Sequence, residues 1–171
     1  MNPSALHFTA HLFAAVLFGS LVGLERQWRQ RMAGTRTNAL VAAGAAAFVM
    51  AGLQLTGDSS APGRVASYVV SGVGFLGAGV IFKDGPNVRG LNTAATIWCS
   101  AAIGVLCGLG HTILPSILTV AVLITNIALR PLAYRLHPVL PTVPGAETLY
   151  AITLTCRSAD ETHLRPCSWP R

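Results

Sequence analysis

Charge is the first thing this chain is short of. Asp, Glu, Lys and Arg together make up 11% of its 171 residues, where a soluble domain carries about 25%. Hydrophobic residues make up 52%, and the mean hydropathy is +0.55. The deficit excludes a disordered chain, a nucleic-acid coat and an ordinary cytosolic globule. What remains is an all-α integral membrane protein with helical spans. The formal net charge of +6 is therefore no sign of a nucleic-acid partner, because the placement of the charges matters more than their sum. Catalytic chemistry is missing too: no nucleophile, base or metal constellation stands out, and no cofactor is implied. Four cysteines contain no Cys-x-x-Cys pair. Cys99 and Cys107 share one expected helix, about 12 Å apart along its axis, too far to bridge.

Uncharged stretches include residues 1–24, 66–82 and 90–129, the last being the longest. A span needs about 20 mostly apolar residues. Five spans follow, at 6–24, 38–55, 66–82, 93–109 and 113–129. The last two share the longest uncharged stretch and separate at Gly108-Leu109-Gly110-His111, a turn that makes them a tight hairpin. One long tilted span is the alternative, but it is far too long for a bilayer core of about 30 Å. The first stretch lacks the positive lead-in of a signal peptide and reads as a retained helix. Arg26, Arg29, Arg31 and Arg36 follow span one, and Lys83 and Arg89 follow span three. Arg130 and Arg135 follow span five, whereas the loop after span two holds only Arg64 and the turn after span four holds none. Positive loops stay cytoplasmic, which predicts the N-terminus outside and the C-terminus inside. Cys156 and Cys167 then lie on the reducing side.

Small residues crowd span two, at 42–47, and span three, at 71–79. Such residues let helix backbones approach closely in lipid. One reading is a tightly packed bundle; the sharper one is a homodimer seam or a backbone-lined pathway. Charged residues are missing from every span, which argues against an ion pump, although a carbonyl-lined channel stays open. His7 and His11 share a face of the first helix, as a metal or pH-sensing pair or as interfacial histidines. Asn126 reads as an interhelix hydrogen bond.

Three segments converge on the predicted cytoplasmic face: 23–38, 82–93 and the stretch after 129. Glu25 and Arg29 are spaced to pair on a helix, Trp28 suits the membrane interface, and Asn92 is placed to cap span four. Gly85 and Pro86 specify a turn. Arg36, Lys83 and Arg89 thereby come near Glu25, Asp84, Asn38 and Asn92. The alternatives are a polar pocket for an anionic headgroup, a phosphate or a partner's carboxylate, a Mg²⁺ site on Glu25 and Asp84, or plain positive-inside anchoring. Three prolines make 136–146 a stiff linker. Alternation from Tyr150 to Cys156 and a capping box at Ser158–Glu161 then read as a strand and a helix start, too little to bury a core.

These residues resemble the MgtC/SapB family. The blocks that carry the resemblance are 25–34, 36–41, 71–81, 87–96, 98–101 and 104–110, with a close match over about 19–110. The resemblance divides the chain into a transmembrane domain at 1–135, the linker at 136–146, and the start of a cytoplasmic ACT-like domain at 147–171, an incomplete α+β tail. It implies a multi-pass protein of the bacterial inner membrane, a virulence factor needed for growth in low Mg²⁺ and survival in macrophages. It also implies a non-catalytic regulator of membrane energetics that inhibits the F-type ATP synthase. The functional surface expected from the residues and the resemblance together is Glu25, Arg26, Arg36, Asn38, Asp84, Arg89, Asn92 and Cys99. The competing hypothesis is a small transporter of Mg²⁺ or another ion, with Glu25 and Asp84 as ligands.

Overall fold

The computed structural model describes residues 3–56, 60–84 and 87–136. It contains five helices: α1 (Pro3–Trp28), α2 (Thr35–Thr56), α3 (Ala61–Val80), α4 (Leu91–Gly108) and α5 (Ile113–Leu136). A two-stranded hairpin, β1 (Phe82–Asp84) and β2 (Asn87–Arg89), joins α3 to α4. Each expected span falls on one of these helices, although the third and fourth expected spans run past the ends of α3 at Val80 and α4 at Gly108. Four of them, at Ala5–Trp28, Thr35–Leu55, Ala61–Val80 and Leu91–Gly108, are long and apolar enough to cross a membrane, and α5 carries a shorter apolar stretch at Ile113–Leu129. The expected turn between spans four and five is present: α4 ends at Gly108 and α5 begins at Ile113. The expected linker beyond Leu136, and the strand and helix start after it, lie outside the described residues.

The core combines small and polar groups with a few branched aliphatics such as Ile97 and Ile103, and many of the large apolar side chains point outward. Ala15, Val22, Ala42, Ala46, Ile103 and Cys107 are completely buried. Phe13, Leu40, Phe48, Tyr68, Phe75 and Ile113 are exposed, Phe75 to 83%. In water this arrangement would waste the hydrophobic effect; in hydrocarbon it costs nothing, because lipid tails solvate large side chains and only close packing holds helices together.

Helix α2 lies between α1 and α4 and approaches both at backbone distance. A Cβ on Gly19 of α1 would stand 2.7 Å from the Asn38 carbonyl oxygen and 2.9 Å from the Ala42 Cβ. One on Gly104 of α4 would collide with the Ala42 carbonyl, and one on Gly108 would stand 2.7 Å from that of Ala46. Gly19 with Gly23, and Gly104 with Gly108, are both Gly-x-x-x-Gly pairs, so the closest seams are internal to the chain. The small residues of α3 behave differently. A Cβ on Gly77 would stand 3.5 Å from the Ala94 Cβ, an ordinary contact, while Gly72, Gly74 and Gly79 have nothing among the described residues within 4 Å of an added Cβ.

Local signals place the ends. Pro62 sits in the first turn of α3, where its missing N–H costs nothing. The expected cap of α4 is corrected. The N-cap is Gly90, at φ 93°, with no side-chain cap bond, and Asn92 lies inside the first turn. A Cβ at Gly90 would collide with the Val80 carbonyl, so the tight return from β2 into α4 admits no capping side chain there. Asn92 contributes its backbone carbonyl instead, which accepts a bond from Thr96 Oγ1 at 2.8 Å. At the far end, His7 and His11 stack with ring centroids 6.4 Å apart, and His11 approaches Gly110 of the α4–α5 turn.

Candidate functional site: a basic cleft at the charged end of the bundle

The last turns of α1 carry the first charges in the chain, and the structure pins them. Glu25 and Arg26 are buried. Glu25 Oε1 meets Arg29 Nε at 2.9 Å, the pair expected from the i,i+4 spacing. Asn126 Nδ2 of α5 donates to Glu25 Oε2 at 3.4 Å, so the expected interhelix role of Asn126 is what the geometry shows. Arg26 Nη2 donates to Thr93 Oγ1 at 2.6 Å and to the Met32 carbonyl at 3.2 Å. Arg26 Nε is buried with no hydrogen-bond partner. One guanidinium thus ties the end of α1 to the start of α4 and to the α1–α2 loop.

That loop is held from inside. Gln30 and Ala33 adopt positive φ angles of 52° and 57°, uncommon for residues with a Cβ. Asn38, completely buried, donates Nδ2 to the Ala33 carbonyl at 2.6 Å and to the Gly34 carbonyl at 3.0 Å. Its Oδ1 accepts from Ser100 Oγ of α4 at 2.8 Å. Gln27 Oε1 accepts from Thr35 Oγ1 at 2.9 Å. These bonds satisfy carbonyls that an apolar surrounding would leave orphaned.

A cleft of about 440 Å³ opens between these elements. Glu25, Arg26, Arg29 and Arg31 wall it from α1 and its loop; Gly90, Asn92 and Thr93 from the start of α4; and Thr125, Asn126 and Leu129 from α5. Three guanidiniums face one carboxylate. The uncapped first turn of α4 adds N–H groups without intrahelical acceptors. The lining suits an anion better than a cation, because both Glu25 oxygens are already engaged.

Of the residues expected at the functional surface, Glu25, Arg26 and Asn92 are brought together in this cleft. The others stand elsewhere. Arg36 is exposed in the first turn of α2, and Arg89 is exposed on β2. Asn38 is interior and fully engaged in bonding, and Cys99 packs half-buried against the core. Asp84 pairs with Asn87 across the hairpin, and its side chain lies outside the described residues. Thr93 and Thr125 were not anticipated. A buried threonine next to Asn92 left a faint signal; Thr125 left none, since only the packing of α5 brings it to α1.

The sequence model of the MgtC family matches residues 12–135. The chain is 54% identical over 158 residues to Protein MgtC of Salmonella paratyphi A, covering 92% of this chain and 67% of that protein. It is equally identical, over the same length, to Protein MgtC of Salmonella typhimurium strain LT2. Identity to Protein MgtC of Brucella abortus is 52% over 159 residues, covering 93% of this chain and 66% of the relative. No solved structure matches. Helices long and apolar enough to span a bilayer, together with relatives this similar across nine-tenths of its length, make this a multi-pass membrane protein that belongs to the MgtC family.

Proposed function

We propose that the chain is a non-catalytic regulator in the bacterial inner membrane, acting by lateral helix contact on the F-type ATP synthase. In this reading it restrains ATP synthase, and thereby supports growth in low Mg²⁺ and survival in macrophages. The observation that carries the docking mode is the outer face of α3. Among the described residues nothing lies within 4 Å of a Cβ added at Gly72 or Gly79, which share one side of α3, and Phe75 stands exposed beside them. Small residues let a second backbone approach, and an aromatic knob can fill the gap between helices. The runner-up reading, ion transport, is weakened by the placement of charge. Glu25, Arg26, Arg36 and Arg64 lie in the end turns of their helices, and α4 carries no charge at all.

The test is ATP-driven proton pumping in inverted bacterial membrane vesicles with and without the chain, at equal ATP synthase content. Slower pumping with the chain present is the expected result. A Gly72→Leu, Gly79→Leu variant should restore the rate while accumulating normally. Unchanged pumping, together with Mg²⁺ flux in liposomes containing only this chain, would favour the transporter.

A further inference from the structure

We infer that the cleft at the charged end binds a phosphate oxyanion, with Arg26 and the first turn of α4 as its floor and Arg31 at its mouth. Two independent features point to the same ligand. The first is Arg26, 3% exposed, which forms part of the cleft wall and keeps Nε buried without an acceptor. Burying a guanidinium with one donor left without an acceptor is costly, and an oxyanion brought against the Arg26 wall of the cleft offsets that cost by pairing with its charge. The second is α4. Its N-cap is a glycine with a left-handed backbone and no side-chain bond, and Gly90, Asn92 and Thr93 line the cleft. Uncapped first-turn N–H groups and the positive end of the helix dipole favour a bound anion. Thr93 Oγ1 accepts from Arg26 and so keeps its own proton to donate.

The remaining lining agrees. Glu25 is held by Arg29 and Asn126, so it repels an anion less than a bare carboxylate would. Arg31 is exposed at the rim. Trp28, 87% exposed one turn from the cleft, suits the headgroup layer. A phosphate can therefore arrive on an anionic lipid or free from solution. The inference stands apart from any role at ATP synthase.

The experiment uses the whole chain purified in dodecyl maltoside, which contains no phosphate. One arm titrates inorganic phosphate by calorimetry; the other titrates maltoside micelles doped with phosphatidylglycerol. Saturable one-to-one binding in either arm is expected. Arg26→Gln should weaken it about tenfold, the effect of losing one charge-assisted hydrogen bond. Arg31→Gln should weaken it about threefold, as for a screened rim charge, and Arg36→Gln should leave it unchanged. Response to inorganic phosphate alone identifies a soluble anion, and response to phosphatidylglycerol alone identifies a headgroup. Arg26 also supports the α1–α2 loop, so its variant can fail to fold; Arg31, at the rim, keeps the test open. Absence of saturable binding in both arms overturns the inference, as does binding that Arg31→Gln and a folded Arg26→Gln leave untouched.

Discussion

Replacing Gly104 by Ala should destabilise the bundle far more than the same change at Gly44, although both glycines lie within uncharged stretches of their helices. At Gly104 the new Cβ meets the backbone of α2: it collides with the Ala42 carbonyl oxygen and stands 2.8 Å from both the Ala42 carbonyl carbon and Cα. Ordinary contact requires α4 to retreat by roughly 1 Å, and overpacking of this kind costs about 1–3 kcal/mol. The retreat also stretches the Ser100 Oγ to Asn38 Oδ1 bond, 2.8 Å long and one turn away, at a further cost of about 1 kcal/mol. Alanine returns about 0.5–1 kcal/mol through helix propensity. The net loss is about 1–3.5 kcal/mol. At Gly44, where nothing lies within 4 Å, only the propensity term acts, and Gly44→Ala should be neutral or slightly stabilising. Reversible unfolding of the purified protein in mixed micelles with sodium dodecyl sulfate reads both. Equal midpoints for the two variants would refute the claim that the α2–α4 seam is packed backbone to backbone.

Asn38→Ala removes three side-chain bonds and leaves the Ala33 carbonyl without its partner, while the Gly34 carbonyl keeps the Asn38 backbone N–H, and should cost about 2–3 kcal/mol in the same unfolding assay; Ser100→Ala, which removes one bond, should cost about 1 kcal/mol. Glu25→Gln breaks an ion pair whose partner side chain is 29% exposed, and a loss of about 1–2 kcal/mol, reduced by salt, is expected between the surface and buried limits. Asn92→Thr leaves the backbone bond to Thr96 in place, so membrane accumulation should match the parent and the unfolding midpoint should move by no more than about 0.5 kcal/mol; a change in vesicle proton pumping would then report function and not folding. Cysteines introduced at Arg36 and at His111 should label from opposite sides of the membrane, with Arg36 cytoplasmic. Labelling from the same side would overturn the expected orientation.

The helices were readable because lipid imposes a simple rule: about 20 residues without charge, ended by arginines, prolines or glycines. The pairing of Glu25 with Arg29 was readable because i,i+4 neighbours on a helix must meet. The cap of α4 was misread. Asn92 has the chemistry of a cap, but the hairpin before it returns so tightly that only Gly90 fits at the boundary. The seams were only half legible. Runs of alanine and glycine at 42–47 and 71–79 signalled close packing, yet in the second run only Val73 and Gly77 are buried. The tighter approaches use Gly-x-x-x-Gly pairs at Gly19–Gly23 and Gly104–Gly108.

Composition and charge spacing by themselves determined a helical membrane protein, its span positions and the clustering of arginines after alternate spans, because solvation by lipid acts on each segment separately. The motif blocks determined the family. Tertiary structure alone decided which small residues are buried, that Asn38 joins two helices from the interior, and that Arg26 meets Thr93, 67 residues away. It also decided that Glu25 and Asn126 share one cleft. Those pairings depend on which helix faces which, and in lipid that choice rests on backbone-distance fit between whole helices, a property no single segment carries.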